Sequence, residues 1–250
     1  MEISKFILLN THKSGTRLLF QALGDNSQIQ RHVFDLTIIL EWFVLDRRHS
    51  SFYKYRTTSL KRRIDYIFRK RQLIDNFLRE LYTPDNGVKA VGIRLLYEQA
   101  AKHPEILEWA VENDVGIIHL IRENSLKAIV SNEATLKRGL LHSTGRARPL
   151  TTLHISPARL KRQLTILTQQ IEQYRAGLQH ARYLEVSYEA LVTNPEFEAS
   201  RLLAFLNLEP RAFKVVNSKG INPVSLESMI ENYQEVKQSL QGTAFEEFLN

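Results

Sequence analysis

The chain has 250 residues, no cysteine and a formal net charge of +7, and 43% of its residues are hydrophobic. The absence of cysteine excludes disulfides, cysteine-ligated metal centres and a thiol nucleophile, and the hydrophobic fraction excludes a disordered or fibrous chain. No apolar run approaches the about 20 residues that span a bilayer, and no signal-peptide pattern follows Met1. We therefore expect one globular, cytoplasmic domain over residues 1–250.

Short apolar runs alternate with helical patterns along the chain. The first element is an apolar strand over 5–10, and a turn and a helix follow it. Later apolar runs predict further strands at 88–95, 115–121 and 183–187. Apolar residues at helical spacing predict helices between them, at 98–101, 105–113, 126–138, 156–178 and 194–205. This alternation predicts an α/β fold in which helices cover both faces of a parallel sheet.

The turn after the first strand has a composition that suits anion binding. It contains Lys13, Ser14, Gly15 and Thr16, and Arg17 follows. Gly15 lets the backbone approach a ligand closely, and the N–H groups at the start of the following helix can bind an anion beside the Lys13 cation. The turn is not a Walker A loop, because there the lysine follows the second glycine. A plain strand–turn–helix connection with a capping serine is the alternative interpretation.

Most of the positive charge lies in one segment. Residues 47–72 contain ten Lys or Arg and one acid, so this window carries +9 and the remaining 224 residues sum to −2. Apolar residues at spacings of three, four and seven predict one long amphipathic helix from 58 to 82, with a basic opposite face. That face is either an ordinary solvated surface or a surface that attracts an anionic ligand.

Four segments, in chain order, carry a resemblance to a known family. They are FILLNTHKSGTRLL at 6–19, VGIRLLYEQ at 91–99, HLIRENSLKAIVS at 119–131 and LEVSYEALVTNP at 184–195. They resemble the signatures of the sulfotransferases that use 3′-phosphoadenylyl sulfate (PAPS), and especially the bacterial carbohydrate and nodulation-type branch. LAFLNL at 203–208 and short segments between 222 and 236 extend the resemblance.

The resemblance implies a P-loop-like, three-layer α/β/α fold with a central, mainly parallel sheet and an inserted helical, basic acceptor-binding region at 36–87. It implies an enzyme that moves a sulfuryl group from PAPS to a hydroxyl of a carbohydrate or glycolipid, without a metal ion. The residues that would bind the 5′-phosphosulfate of PAPS are Lys13, Ser14, Gly15, Thr16 and Arg17. Lys13 would also be catalytic, because it is placed to stabilise the bridging oxygen as negative charge builds there.

Later segments supply the other site residues that the resemblance implies. Arg122 and Ser131 would bind the 3′-phosphate of the nucleotide, and Arg94 and Gln99 would contact the acceptor. Arg94 stands where the family usually has lysine, which keeps the charge but changes the geometry of the donors. Nine positions separate Arg122 from Ser131, as in the nodulation-type members.

The catalytic base has two candidates. Carbohydrate sulfotransferases of this type usually place a glutamate shortly after the first helix, and this chain has none there before Glu41. Asp35 occupies the position after a shift of one residue. His32 is the alternative, because cytosolic relatives use histidine as the base. Either group can accept the proton of the acceptor hydroxyl near neutral pH if its surroundings tune its pKa.

Two other functional classes are open at this point: a P-loop-type nucleotide-dependent kinase, and a basic protein that binds nucleic acid or a membrane surface. The first lacks a Walker A loop, and the second lacks any zinc-finger, RNP or helix-turn-helix pattern. We therefore expect no nucleic-acid partner. The basic segment instead predicts an anionic acceptor or an anionic surface that presents the acceptor, with peripheral membrane contact through the basic helix at the inner membrane surface.

Overall fold

A computed structural model describes residues 3–23, 29–33, 52–84, 87–137, 152–209 and 225–249. The described residues group into two compact units. The first unit draws on Met1–Thr11, Gly15–Ile121 and Leu178–Lys214, and the second draws on His12–Ser14, Arg122–Gly177 and Val215–Asn250. A single domain over residues 1–250 stays a prediction.

The first unit is built on a five-stranded sheet. Its strands are β1 (Ser4–Asn10), β2 (Ile29–Val33), β3 (Ala90–Leu96), β4 (Gly116–Ile121) and β5 (Tyr183–Ser187). Their order is β2-β3-β1-β4-β5, and every neighbouring pair is parallel. Successive residues of β1, β3 and β4 are buried, so both faces of these central strands are covered. The predicted α/β class with a parallel sheet is confirmed.

The helices lie between the strands and, in the last part of the chain, after β5. In chain order they are α1 (Thr16–Ala22), α2 (Phe52–Thr57), α3 (Leu60–Phe68), α4 (Lys70–Leu81), α5 (Tyr97–Lys102), α6 (Glu105–Glu112), α7 (Ser125–Lys137), α8 (Pro157–Gly177), α9 (Tyr188–Thr193), α10 (Pro195–Phe205), α11 (Leu226–Met229) and α12 (Tyr233–Leu240). A 3₁₀ turn follows at Glu246–Leu249. The described part of the expected insertion at 36–87 is helical, whereas its acceptor-binding role stays a prediction.

One face of the sheet packs against α1, α9 and α10. Alternate residues of β1 and β4 point to this face, because side chains alternate along a strand. Their side chains form one buried apolar cluster with residues of β5, of the three helices and of the end of α1: Phe6, Leu8, Leu19, Leu23, Ile118, Leu120, Val186, Leu191, Leu202 and Leu203. The apolar contacts of this cluster hold α1 against this face of the sheet.

β2 is absent from the strands that the sequence pattern predicts. It is an edge strand that pairs with β3 alone among the described strands. Its sequence, IQRHV, contains three consecutive polar residues and shows neither an apolar run nor a regular alternation. An edge strand is less enclosed than a central one, so it needs no continuous apolar run, and the pattern misses it.

The long amphipathic helix predicted for 58–82 is wrong. Two helices, α3 and α4, occupy this stretch, and they are separated at Arg69, whose backbone (φ −140°, ψ 41°) lies outside the helical region. The two helices differ in the number of side chains that they bury. α4 buries five apolar side chains, Leu73, Ile74, Phe77, Leu78 and Leu81, whereas α3 buries none.

The second unit is helical. Among its described residues an isolated β-bridge pairs Leu153 with Ile230, and Asn232 adds two hydrogen bonds beside it. The Asn232 side chain accepts from the backbone N–H of Ile155 and donates to its carbonyl, both at 2.9 Å. The start of α12 is therefore tied to the segment before α8, which explains an asparagine at position 232 in the closing part of the chain.

Candidate active site

The loop between β1 and α1 begins at the carboxyl end of a central strand. In the sheet β1 lies between β3 and β4. The chain continues from β1 to β2 and β3 on one side of it and then to β4 and β5 on the other side, so the strand order reverses at β1. Ligands of open α/β sheets bind at such points. Two residues of the loop, Lys13 (φ 60°) and Gly15 (φ 101°), adopt left-handed backbone conformations.

Position 15 requires a glycine because of the neighbouring side chain as well as the left-handed backbone conformation. A Cβ atom added to it would stand 2.6 Å from Cδ2 of Tyr188, the first residue of α9. Tyr188 is itself placed by Ser187, whose hydroxyl caps α9 by accepting from the N–H of Ala190 at 3.0 Å. Tyr188, from the Tyr-Glu pair of the 184–195 segment, thus packs directly against Gly15.

Asn10 joins two predicted site residues. Its side chain is fully buried at the end of β1. The amide nitrogen donates to the hydroxyl of Thr16 at 2.6 Å, and the amide oxygen accepts from Nε of Arg94 at 3.3 Å. Asn10 therefore connects the loop hydroxyl to the β3 guanidinium. The sequence carries one signal for it: a polar residue that closes an apolar strand directly before a turn.

Arg94 and Gln99, the predicted acceptor residues, belong to β3 and α5. Arg94 is half-buried on β3. The side-chain oxygen of Gln99 accepts from the N–H of Leu96 at 2.8 Å, so Gln99 caps the start of α5. This capping role is structural, and the contact of either residue with an acceptor stays a prediction.

His119, in the 119–131 segment, is a fully buried histidine with a structural role. Its Nε2 lies 2.5 Å from the hydroxyl of Tyr97 and its Nδ1 lies 2.6 Å from the hydroxyl of Tyr183. The Tyr183 hydroxyl also donates to Glu185 at 3.0 Å. These hydrogen bonds link the start of α5 to β4 and β5, and they give a buried polar ring the partners that it needs.

In the second unit, Lys13 and Arg122 are in contact. Nη1 of Arg122 donates to the backbone carbonyl of Lys13 at 3.4 Å. Ser14, next to Lys13, is fully buried, whereas Lys13 and Arg122 are half-buried. Arg122 directly follows the last residue of β4 in the chain. The segment predicted to bind the 3′-phosphate is therefore joined to the predicted phosphosulfate loop.

Ser131 lies in the middle of α7 and is half-buried. The start of this helix is fixed by Asn124, whose side-chain oxygen accepts from the N–H of Lys127 at 2.9 Å. The amide nitrogen of Asn124 donates to the carbonyl of Phe248 at 2.9 Å. Asn124 thus holds the first turn of α7 and the end of the chain together, a role that its sequence position alone did not indicate.

The two candidate bases are not resolved by the described geometry. His32 lies on β2, where its backbone is in register with Ile93 of β3. Asp35 lies outside the described residues. The choice between them stays open.

The described part of the chain offers neither a metal centre nor a membrane-spanning helix. No three His, Asp or Glu side chains there are grouped so that they could hold a metal ion. None of the helices within the described ranges is long and apolar enough to cross a membrane.

Comparison with known families identifies the class of protein. The model of the sulfotransferase family matches residues 6–212, which is most of the chain. The chain belongs to the sulfotransferase family. The matched region of this sulfotransferase contains the β1–α1 loop, the Arg122 segment and the parallel sheet except for the first two residues of β1.

Solved structures similar to this sulfotransferase are distant in sequence. A sulfotransferase from Alicyclobacillus acidocaldarius is 16% identical, with 85% of this chain and 84% of that chain covered and a TM-score of 0.47. A mouse sulfotransferase complexed with PAP is 13% identical, with coverages of 86% and 60% and a TM-score of 0.43. A retinol dehydratase in complex with androsterone and the inactive cofactor PAP is 14% identical, with coverages of 98% and 73% and a TM-score of 0.41. No curated protein sequence matches the chain.

Proposed function

We propose that this sulfotransferase moves a sulfuryl group from PAPS to a hydroxyl of a carbohydrate or glycolipid acceptor. The observation that carries the donor half of the proposal is the hydrogen bond from Arg122 to the Lys13 carbonyl. It joins the two segments that, by resemblance, bind the 3′-phosphate and the phosphosulfate of one nucleotide. A guanidinium and an ammonium group on adjoining segments suit a ligand that carries anionic groups at both ends.

The roles of the loop residues follow from the chemistry of sulfuryl transfer. The reaction resembles phosphoryl transfer, with in-line attack and negative charge that builds on the bridging oxygen. Because PAPS already carries a good leaving group, the protein mainly positions the reactants and neutralises charge. Lys13 would stabilise the bridging oxygen, and Ser14, Gly15, Thr16 and Arg17 would hold the 5′-phosphosulfate. Arg122 and Ser131 would hold the 3′-phosphate.

The acceptor half of the proposal has separate support. The 91–99 segment resembles the bacterial carbohydrate and nodulation-type branch, and it places Arg94 on β3 and Gln99 on α5. The chain between β2 and β3 is helical where it is described, and it is strongly basic. A basic region of this kind raises the local concentration of an anionic acceptor.

The base that accepts the proton of the acceptor hydroxyl is Asp35 or His32 in this scheme. Asp35→Asn and His32→Ala separate the two, because each removes one of the two candidate proton acceptors. We expect only one of them to lower the rate of transfer, by about 10²-fold or more, while nucleotide affinity is kept. Full transfer in both variants would remove both residues from the mechanism.

A thermal-shift comparison of nucleotides tests the donor. Adenosine 3′,5′-bisphosphate should raise the melting temperature of the whole protein more than adenosine 5′-monophosphate, which lacks the 3′-phosphate. Magnesium ATP should have no comparable effect. Stabilisation by magnesium ATP alone would favour a kinase and overturn the proposal, and so would the absence of any shift with the bisphosphate. Transfer of labelled sulfate from PAPS to oligosaccharides and glycolipids then tests the acceptor class.

A further inference from the structure

The apolar side of α3 is largely exposed in the described part of the chain. Leu60, Ile64, Ile67 and Phe68 lie on one side of this helix, because residues three and four apart share a face. Leu60, Ile67 and Phe68 keep 73%, 71% and 79% of their surface exposed, and Ile64 keeps 48%. An amphipathic helix of a globular protein normally buries this stripe. Here the stripe has no cover among the described residues.

The polar side of α3 packs inward instead. The guanidinium of Arg62 lies 3.8 Å from the centre of the Tyr55 ring of α2, and Tyr66 contacts Phe52 with ring centres 6.1 Å apart. The guanidinium of Arg56 lies 4.5 Å from the Tyr66 ring. Cation–π and aromatic contacts of this kind are attractive, and they fix which side of α3 faces α2. The outward direction of the apolar stripe is therefore built into the fold.

Exposed cations flank the apolar stripe. Lys61 lies on one side of it and Arg63 on the other, and both are exposed. The described segment 52–69 carries six Lys or Arg and one acid, Asp65. Apolar side chains bordered by lysine and arginine on a short helix are the features of a helix that lies in the interface of an anionic membrane.

We propose that α3 docks on an anionic bilayer surface, with Leu60, Ile64, Ile67 and Phe68 inserted among the lipids and Lys61 and Arg63 at the headgroups. The helix has nine residues, which are enough to lie on a membrane and too few to span one. Nucleic acid offers phosphates for the cations but no partner for the aliphatic stripe. A second copy of the chain offers an apolar stripe but brings the same positive charge against it. The inference goes beyond the proposed function and does not depend on it.

Vesicle flotation of the whole protein tests this surface. Vesicles of phosphatidylcholine alone are compared with vesicles of phosphatidylcholine and phosphatidylglycerol in equal parts. We expect binding to the anionic vesicles only. The binding should weaken between about 0.15 M and about 1 M salt, over which the Debye length falls from about 8 Å to about 3 Å. Charge on the surface alone predicts this result, so variants must test the apolar stripe.

Phe68→Glu tests the stripe, and Phe197→Glu is its control. Phe197 is also a largely exposed phenylalanine, at 64%, but lies on α10. Both variants add the same charge, and circular dichroism checks that both remain folded. We expect Phe68→Glu to weaken binding to anionic vesicles about tenfold or more and Phe197→Glu to weaken it much less. Equal binding by the two variants would overturn the proposal.

A second pair of variants tests the cations. Lys61→Ala with Arg63→Ala removes two flanking charges, and Lys161→Ala with Arg162→Ala removes two charges from α8. Each cation near an anionic surface contributes about fivefold in affinity, so the first pair should lose about 25-fold and the second far less. No binding to anionic vesicles would contradict the inference. A dimer in solution that Phe68→Glu dissociates would assign the apolar stripe to a second copy of the chain and would contradict it as well.

Discussion

The ring of Tyr188 stands where the side chain of any residue other than glycine at position 15 would have to go. Cδ2 of Tyr188 would lie 2.6 Å from a Cβ atom on Gly15, and the φ of Gly15 is 101°. Two independent costs therefore oppose a substitution: the steric clash with a ring held at the start of α9, and about 1–2 kcal/mol for an L-residue in the left-handed region.

Gly15→Ala should lower the free energy of unfolding by more than about 1–2 kcal/mol and weaken the binding of adenosine 3′,5′-bisphosphate. Urea unfolding and titration calorimetry measure the two effects. Gly177→Ala is the control, because a Cβ atom on Gly177 meets nothing within 4 Å. It should leave both quantities unchanged or raise the stability slightly. A Gly15→Ala protein that behaves like Gly177→Ala would show that the Tyr188 ring does not constrain the loop.

Asn10→Ala should affect nucleotide and acceptor binding together, because Asn10 bonds to Thr16 and to Arg94. The loss of two buried hydrogen bonds should cost about 1–3 kcal/mol of stability. Thr16→Val, by contrast, should weaken mainly the binding of the nucleotide. A double-mutant cycle of the two changes should give a coupling energy of about 0.5–3 kcal/mol in nucleotide affinity. A coupling energy of zero would limit Asn10 to packing.

Lys13→Ala should lower the turnover number by about 10²-fold or more, because charge stabilisation at the bridging oxygen is lost in the transition state. Adenosine 3′,5′-bisphosphate should still bind, because the other loop residues would still hold its 5′-phosphate and Arg122 would still hold its 3′-phosphate. Steady-state kinetics and calorimetry measure the two quantities. Lys161→Ala on α8 is the matched control and should keep full activity. Full activity in Lys13→Ala would remove Lys13 from the mechanism.

Arg122→Ala, in contrast to Lys13→Ala, should mainly weaken the binding of the nucleotide. Charge-assisted hydrogen bonds contribute about 1.5–3 kcal/mol each, so the affinity for adenosine 3′,5′-bisphosphate should fall about 10- to 100-fold. The affinity for adenosine 5′-monophosphate should change much less. Arg159→Ala is the control, because Arg159 pairs with Glu133 through an exposed guanidinium. Unchanged affinity for the bisphosphate in Arg122→Ala would contradict the assignment of the 3′-phosphate site.

His103 makes the stability of the protein depend on pH. Burial, and then the charges of Lys70 and Lys102, lower its pKa from 6.5 to about 4. The unfolded chain therefore binds a proton more readily than the folded one as the pH falls from 6.5 towards 4. Over this window the folded protein should lose about 3 kcal/mol through this group, with no further loss below pH 4.

The comparison with His103→Gln isolates this effect from other titrating groups. Urea unfolding of both proteins across the window should show a difference in the free energy of unfolding that shrinks or changes sign as the pH falls. Parallel stability curves for the two proteins would show that the pKa of His103 is not lowered in the folded state.

The parallel sheet could be predicted from sequence because its central strands are buried on both faces. Continuous apolar runs at 5–10 and 115–121 mark such strands, and β1 and β4 begin and end within one residue of them. The edge strand β2 lacks this signal. The apolar spacing does not reveal the break at Arg69, because apolar residues at helical spacing continue on both sides of it.

The sequence points to three residues of the candidate site but not to the side chains that hold them in place. Lys13, Gly15 and Arg122 stand out by type and position, since cations and glycine near strand ends suit a phosphate ligand. Asn10 and Tyr188 act through contacts with residues six and 173 positions away. Contacts of that kind depend on the folded sheet, so a single sequence does not reveal them.

The strand order also sets when the sheet can form during synthesis. Ser4 of β1 pairs with Ala90 of β3, and Phe6 pairs with Gly116 of β4. At about 5–20 residues per second, β1 leaves the ribosome several seconds before either partner exists. Its apolar run stays without a sheet partner for that time. Newly made chains are therefore open to chaperone capture and to aggregation until β4 emerges, and slower synthesis after residue 10 lengthens this interval.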